Sequence, residues 1–426
     1  MPTPRPTIWA VSRLYVPNFS GAAIQAQRLL SGLAWQGWQV HVLTSADLEA
    51  SGLQNQTTEL DGVYIHYIPI VRRREWRWLR FSSFLQDRLR YLNQLLSDMS
   101  MNRRMGRYLQ QHAAHGDIVQ LYSVDEFSLL LIRAAKKQGL NSIIQMSLVG
   151  ADDPSSFRRT KWSVLTRLKL QAFAAADWIV GLSSALTTSC QKAGFDERKI
   201  MRIPNAVDGE VFHPVPDKQT LRRELNLSPA NRFLIFVGSA LHRKGIEVVV
   251  RTFIQLASSF SDLQLLIAGI HDFSDTARHP AERRQLVETL RKEIATAGLQ
   301  DRVHWLGNVN NVSQYLQASD LFFFPTRREG LPNAMAEAMS CGLPVIASLL
   351  PGITTDLVPH SDVGVLVKGH EVADYVDTIT ELLRSPERLE QMGTAAAERI
   401  RSEYAVDVIV QQYADLYRQI SEQSGK

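Results

Sequence analysis

Glu329 and Glu337 stand eight positions apart in Glu329-Gly330-Leu331-Pro332-Asn333-Ala334-Met335-Ala336-Glu337, on either side of the expected start of a short helix. The run from Leu321 to Pro325 is too short and too aromatic for anything but a buried strand, while Pro332 suits a first helical position. Glu329 is therefore expected in a loop and Glu337 inside a helix. A helix N-terminus offers unpaired backbone N–H groups and partial positive charge, a natural seat for an anion such as phosphate. The flanking carboxylates can accept hydrogen bonds from hydroxyls. Sugar and ribose rings present paired hydroxyls beside phosphate, so a sugar nucleotide is the economical ligand. A surface loop capped by two solvated glutamates has the same spacing.

Arg243-Lys244-Gly245 adds a second anomaly. Two cations at the start of a helix expected from Gly245 to about Ala257 oppose its dipole by about 0.3–1 kcal/mol each unless an anion compensates them. As a diphosphate clamp, Arg243 offers a planar fork and Lys244 a point charge, both directed to the anion held at Pro332. The alternative is a pair of solvated cations.

The elements that must position these residues recur in two series. Ile8 to Arg13 reads as a strand, followed by a loop with Ser20-Gly21-Ala22-Ala23 and a helix from Ile24 to Trp35. Phe233 to Val237 is a second opening strand, followed by Gly238-Ser239 and the helix after Lys244. Further strands are expected near Val40–Leu43, Ile118–Leu121, Ser142–Met146, Trp178–Val180 and Ile200–Ile203. The second half adds Leu263–Ala268, Val303–Trp305, Leu321–Phe324, Pro344–Ala347 and Gly364–Val367. Short apolar strands alternating with helices indicate parallel sheets covered on both faces, so the fold class is α/β, with two doubly wound Rossmann-like domains. The boundary is expected in Asn205–Pro229, where Pro204, Pro214 and Pro216 punctuate a polar stretch. The stripe Val406, Ile409, Val410, Tyr413, Leu416 and Tyr417 near the end suits a last helix crossing the domain junction, or one packed within the second domain. Such sheets bind ligands outside the carboxyl ends of their strands, so two facing sheets would make a cleft.

The 426 residues exceed one ordinary hydrophobic core, and 45% apolar with 21% charged residues describes a soluble globular chain. No run is long and apolar enough to span a bilayer, and the Pro-rich N-terminus lacks the apolar core of a signal peptide. A cytoplasmic protein is expected. Cys190 and Cys341 are far apart and without metal spacing, so both are expected as buried small hydrophobes.

The segment Phe322–Ala347, with Pro325, Glu329-Gly330-Leu331-Pro332-Asn333, Glu337-Ala338-Met339 and Cys341-Gly342-Leu343-Pro344-Val345-Ile346-Ala347, resembles the signature region of retaining glycosyltransferases of the GT-B fold, family 4. Gly238 with Arg243-Lys244-Gly245, Ile203-Pro204-Asn205-Ala206-Val207-Asp208 with Phe212 and Pro214, and Gly307 are similar to further family motifs in the same order. The resemblance implies an acceptor-side domain over 1–205, joined by a C-terminal helix at about 404–423, and a nucleotide-sugar domain over 206–403. It implies that Glu337 holds ribose hydroxyls and Glu329 contacts the donor sugar, while Arg243 and Lys244 bind and stabilise the departing diphosphate. Gly238 and Ser239, the backbone at Gly330, Leu331, Pro332, Asn333 and Ala334, residues near Leu306 beside the base, and Gly21 with Ala22 from the first domain complete the donor site. With cations and helix N–H groups meeting the developing charge, no cofactor or metal is expected beyond the nucleoside-diphosphate sugar.

Three positions depart from the family. Ser239 replaces a common Arg, as in a subset resembling lipopolysaccharide-core glucosyltransferases. Asn205-Ala206 replaces Asn-Gly, at a cost in left-handed backbone freedom. The histidine that commonly follows a first-domain strand is absent from Gln145-Met146-Ser147-Leu148-Val149-Gly150. Asp152 or Asp153 is a candidate replacement, contacting the donor sugar or accepting the acceptor proton; a turn or helix cap before Pro154 is the alternative. A sugar-nucleotide epimerase of similar build and a non-catalytic saccharide-binding or partner-binding subunit are the rival functions. A dinucleotide dehydrogenase is disfavoured because no Gly-x-Gly-x-x-Gly follows either opening strand.

Between Arg72 and Arg107, ten Arg against Glu75, Asp87 and Asp98 give +7, so the rest of the chain sums to −3 of the formal +4. Arginines mixed with Trp76, Trp78 and Phe81, then Phe84, Leu85, Leu89, Leu92 and Leu96 at helical spacing, suit an anionic membrane surface. A helix with arginines in water is the alternative, and nucleic acid is not expected. A membrane partner points to a saccharide acceptor carried on a lipid.

Overall fold

The computed structural model describes residues 5–13, 15, 21–46, 57–69, 83–122, 124–157, 164–269 and 280–424. Arg72, Arg73, Arg74, Arg77, Trp76, Trp78 and Phe81 lie outside the described residues. The chain divides into two units, one running to Ala206 and taking in the chain from Val406, the other Val207–Ala405.

The first unit is built on an eight-stranded sheet ordered β3-β4-β2-β1-β5-β6-β7-β8. Its strands are β1 Ile8–Val11, β2 Val40–Ala46, β3 Thr57–Leu60, β4 Val63–Pro69, β5 Ile118–Leu121, β6 Asn141–Met146, β7 Trp178–Gly181 and β8 Ile200–Arg202. All neighbours pair in parallel except β3 with β4. That hairpin is absent from the sequence-based expectation although its cue is plain. Asp61-Gly62 links two β-rich runs, and φ of 51° and 78° at these residues is the doubly left-handed geometry of a two-residue hairpin.

β1 pairs with β2 on one side, Ile8 opposite Val40, and with β5 on the other, Ile8 opposite Ile118. All four of its residues are buried, as a strand covered on both faces requires. The helix Gly21–Trp35 covers one face together with the helix Val406–Ser424. Gly32 permits their close approach, since a Cβ there would lie 2.5 Å from Val410 Cγ2. Ile409, Val410, Tyr413, Ala414, Leu416, Tyr417 and Ile420 join one core with Ile8, Leu30, Val40 and Ile118. Each large apolar side chain so buried contributes about 1.5–3 kcal/mol.

A polar lock fixes the register of that last helix. Tyr413 Oη donates to Gln145 Oε1 at 3.0 Å and Tyr417 Oη to Gln120 Oε1 at 2.6 Å, while Gln120 Nε2 donates to Gln145 Oε1 at 2.7 Å. Both glutamines are buried mid-strand, so an unmade bond would leave an amide without water or partner.

The second unit holds a six-stranded parallel sheet ordered β11-β10-β9-β12-β13-β14. The strands are β9 Arg232–Val237, β10 Leu263–Ala268, β11 Val303–Gly307, β12 Leu321–Phe324, β13 Val345–Ser348 and β14 Val365–Val367. β9 lies between β10 and β12, with Leu234 opposite both Leu265 and Leu321. From β9 the chain builds outward to β10 and β11, then crosses to start the other half at β12. The crevice at this reversal, outside the carboxyl ends of β9 and β12, is where such sheets take ligands.

Candidate active site

Two loops leave the sheet at that crevice, Gly238–Gly245 after β9 and Pro325–Pro332 after β12. Parallel strands bring Leu306, near the end of β11, to the same edge. Gly238 and Gly269 end neighbouring strands, and a Cβ on Gly269 would lie 3.3 Å from Gly238 N. Ser239 follows, half-buried.

Arg243 and Lys244 occupy a three-residue 3₁₀ turn, His242–Lys244, and the helix begins only at Ile246. Gly245 joins turn to helix at φ 75°, and a Cβ there would lie 2.0 Å from the Pro325 carbonyl oxygen. A side chain is thereby excluded, which brings the two loops into contact.

The two cations, expected either to clamp a diphosphate or to stand solvated, are instead paired in this structure with Glu329. Its Oε1 lies 2.7 Å from Lys244 Nζ and 3.3 Å from Arg243 Nη1, and Thr326 Oγ1 is 2.9 Å away. Glu329 is 6% exposed, so a carboxylate here needs these donors. Burial pushes the Lys244 ammonium below its usual range, while Glu329 works in the opposite sense. The ammonium also lies 5.1 Å from the centre of the Phe324 ring. Arg243 Nη1 donates to the Arg328 carbonyl at 2.6 Å. Among the described residues, Glu329 Oε2 takes no hydrogen-bond donor, and it is the oxygen left for a ligand hydroxyl.

The helix after this loop is Asn333–Ser340, with Pro332 as its N-cap at φ −79° and ψ 89°. Pro332 is thus one residue outside the expected position, because its ψ is not helical. Gly330, Leu331 and Pro332 are buried, Asn333 and Ala334 half-buried. Met335 N and Ala336 N donate to the Pro332 carbonyl at 3.0 and 3.2 Å, which closes the first turn of the helix at the crevice. Glu337, half-buried, stands in the helix as expected.

Gly21 and Ala22 form no loop; they are the first residues of the helix Gly21–Trp35. Ala206 has no positive φ, so its methyl costs nothing; its carbonyl accepts from Arg28 Nη1 at 2.8 Å.

Both candidate aspartates serve the loop after β6. Asp153, 3% exposed, accepts from Ser155 Oγ at 2.9 Å, Ser189 Oγ at 3.0 Å, Ser156 N at 3.2 Å and Gly150 N. Burial raises its carboxyl and these bonds lower it, with a net fall below the usual range. This is the geometry of a cap for the short helix Pro154–Phe157, and it leaves no side for a substrate. Asp152 Oδ2 accepts from Ser147 N, Ser147 Oγ and Leu148 N at 3.1, 2.6 and 3.0 Å. Its Oδ1 has no partner among the described residues.

Sequence reading missed Thr326, Arg327, His242 and Glu247, which brace the cationic turn. Glu247 in the first turn after Gly245 was the available signal, as an acid at a helix start. Cys190 and Cys341 are buried, and burial pushes both thiols upward, Cys190 to about 12. No group of three or more His, Cys, Asp or Glu that could hold a metal occurs among the described residues.

Fold and crevice define a two-domain α/β protein whose second half gathers two cations and a buried glutamate at the carboxyl ends of its strands. Residues 20–206 match the model of the glycosyl transferase 4-like domain, and residues 217–399 that of glycosyl transferases group 1. The chain belongs to this glycosyltransferase family. It is 22% identical over 419 residues to N-acetyl-alpha-D-glucosaminyl L-malate synthase of Bacillus anthracis, covering 96% of this chain and 97% of that one. A lipopolysaccharide core biosynthesis mannosyltransferase of Rhizobium meliloti is 26% identical over 66% of this chain and 75% of its own. Among solved structures, Anabaena HepE with UDP and glucose has a TM-score of 0.73 at 17% identity, covering 97% of this chain and 99% of that one. Sucrose-phosphate synthase of Thermosynechococcus elongatus has 0.73 at 21%, covering 98% and 99%. At those identities the structural likeness carries the fold alone.

Proposed function

We propose that this chain is a retaining glycosyltransferase that moves a hexosyl group from a nucleoside-diphosphate sugar to a saccharide acceptor. The reading rests on one observation: Lys244 and Arg243 converge on Glu329 Oε1 beside the start of the helix Asn333–Ser340. The diphosphate is held by the cations and the helix N–H groups, the sugar by Glu329 Oε2, and the ribose by Glu337. The bond from the anomeric carbon to the diphosphate breaks, and the acceptor hydroxyl oxygen bonds on the face so vacated. The acceptor proton passes to the departing diphosphate. The charge that develops is met by Arg243 and Lys244, which is the main catalytic need and leaves no required place for a metal. Activity unchanged by a chelator is the expected outcome.

A thermal-shift panel of UDP, GDP, ADP and their sugars tests the donor, since specific binding stabilises the folded chain. UDP is the first base to try, because the HepE structure holds it. A flat response across the panel would sink the reading.

The acceptor is proposed to be carried on a lipid at the cytoplasmic membrane face. Leu89, Leu92 and Leu96 of the helix Ser83–His112 stand at helical spacing and are 36%, 53% and 37% exposed. They follow the arginine-rich segment in sequence, and each basic residue near an anionic surface adds on the order of 1 kcal/mol. No helix among the described residues is long and apolar enough to cross a membrane, so the contact would be peripheral. Co-sedimentation with anionic liposomes should be lost when Arg72, Arg73, Arg74 and Arg77 become Ser. Unchanged binding would remove the segment from this role.

A further inference from the structure

We infer that Arg327, braced by Glu247, is the positioning residue that holds the Arg243–Lys244 turn at the donor diphosphate. The inference rests on the donor reading above. A single 3₁₀ turn has little stability of its own; here its internal bonds are Lys244 N to the Leu241 carbonyl at 2.8 Å and Gly245 N to the His242 carbonyl at 3.1 Å. What holds it is the loop after β12. The backbone N–H of Arg327 donates to the Arg243 carbonyl at 2.8 Å, and its Nη1 donates to the His242 carbonyl. One residue therefore fixes two successive carbonyls of the turn that presents both cations.

The Arg327 guanidinium is itself anchored from below. Its Nη1 lies 2.7 Å from Oε1 of Glu247, which is 7% exposed, and His242 Nδ1 is 3.3 Å from the same oxygen. Glu247 Oε2 is buried without a hydrogen-bond partner. A carboxylate so placed depends on its counter-ion, and removing that partner leaves an uncompensated buried charge. Arg327 thus has two separable duties: it neutralises Glu247, which concerns stability, and it ties down the turn, which concerns the diphosphate.

The two duties are separated by Arg327→Met, Arg327→Met with Glu247→Gln, and Arg327→Lys. The probe is whichever of UDP, GDP and ADP raises the wild-type melting temperature most, and its Kd is measured by calorimetry. Arg327→Met should lower both the melting temperature and the affinity. In the double variant the buried charge is gone, so the melting temperature should recover while affinity stays five-fold or more below wild type. Arg327→Lys keeps a charge for Glu247 without the fork, and should lose affinity at a nearly unchanged melting temperature. Wild-type affinity within two-fold in the double variant, or in Arg327→Lys should the double variant not fold, would overturn the inference. Lys244→Ala serves as the control for the donor reading. Wild-type affinity in that variant would overturn that reading and this inference with it, whereas a loss confined to Lys244→Ala would overturn the inference alone.

Discussion

On the proposed donor reading, Glu329 competes with the diphosphate for the same two cations. In the free protein its Oε1 neutralises Lys244 and approaches Arg243, so an arriving diphosphate must share these charges with a buried carboxylate. Glu329→Gln should therefore lower the stability of the free protein, because Lys244 loses its buried counter-ion, yet bind a bare nucleoside diphosphate as tightly as wild type or more tightly. Turnover of the sugar nucleotide should fall, on the order of 10²–10³-fold, as for loss of one group that orients or stabilises the transition state. Calorimetry with UDP beside a donor-consumption assay separates the two effects, and weaker UDP binding by this variant would contradict the competition. The sequence made the glutamate pair and the cationic pair legible because their residue types are costly without partners. It could not tell that one of the glutamates, Glu329, pairs with both cations. That pairing is a contact across 85 residues, set by which strands lie side by side. Asp152 and Asp153 show the same limit, since a capping aspartate and a catalytic one read alike until their hydrogen bonds are counted.

At the scale of elements, periodicity located the strands of both sheets well, since a strand buried on both faces has few alternatives in sequence. Ile118–Leu121, Leu263–Ala268 and Leu321–Phe324 stand as expected. The β3–β4 hairpin went unread although Val63–Pro69 is a buried apolar run and Asp61-Gly62 a turn signal, because β3 is mostly exposed and carries no apolar run of its own. Helix starts were displaced by one to three residues, where caps and 3₁₀ turns compete with helix. Gly245 is the element junction on which the site depends. Alanine there must adopt a left-handed φ and push its Cβ into the Pro325 carbonyl, together costing about 2–4 kcal/mol. Gly245→Ala should lower the unfolding midpoint of the second unit and abolish diphosphate binding, read by denaturation followed with and without nucleotide. A wild-type midpoint would mean that the two loops are not in contact as described.

Across the whole molecule, two units with separate cores predict two unfolding transitions that answer to different ligands. The first unit carries a column of rings in which Trp9 stacks on His41 at 4.4 Å, and His41 on His66 at 5.1 Å and 6°. His41 Nδ1 and His66 Nε2 are 2.8 Å apart, so one must donate and the other accept. Burial lowers both imidazoles, His66 to about 4, and the neighbouring His41 and His112 add to the fall at His66. The unfolded chain regains an ordinary histidine near 6.5, so between about 4 and 6.5 it binds more protons than the folded one. Stability contributed by the neutral pair is therefore full above pH 6.5 and is lost as the pH falls toward 4. Calorimetry at pH 7.5 and 5.5 should show the first-unit transition moving down in acid, and His66→Gln should remove most of that movement. The nucleotide that binds the crevice should raise only the transition of the second unit, by mass action at its own site. A single transition that responds equally to acid and nucleotide would mean that the units unfold as one body, and ligand binding in one would then stabilise the histidine column in the other.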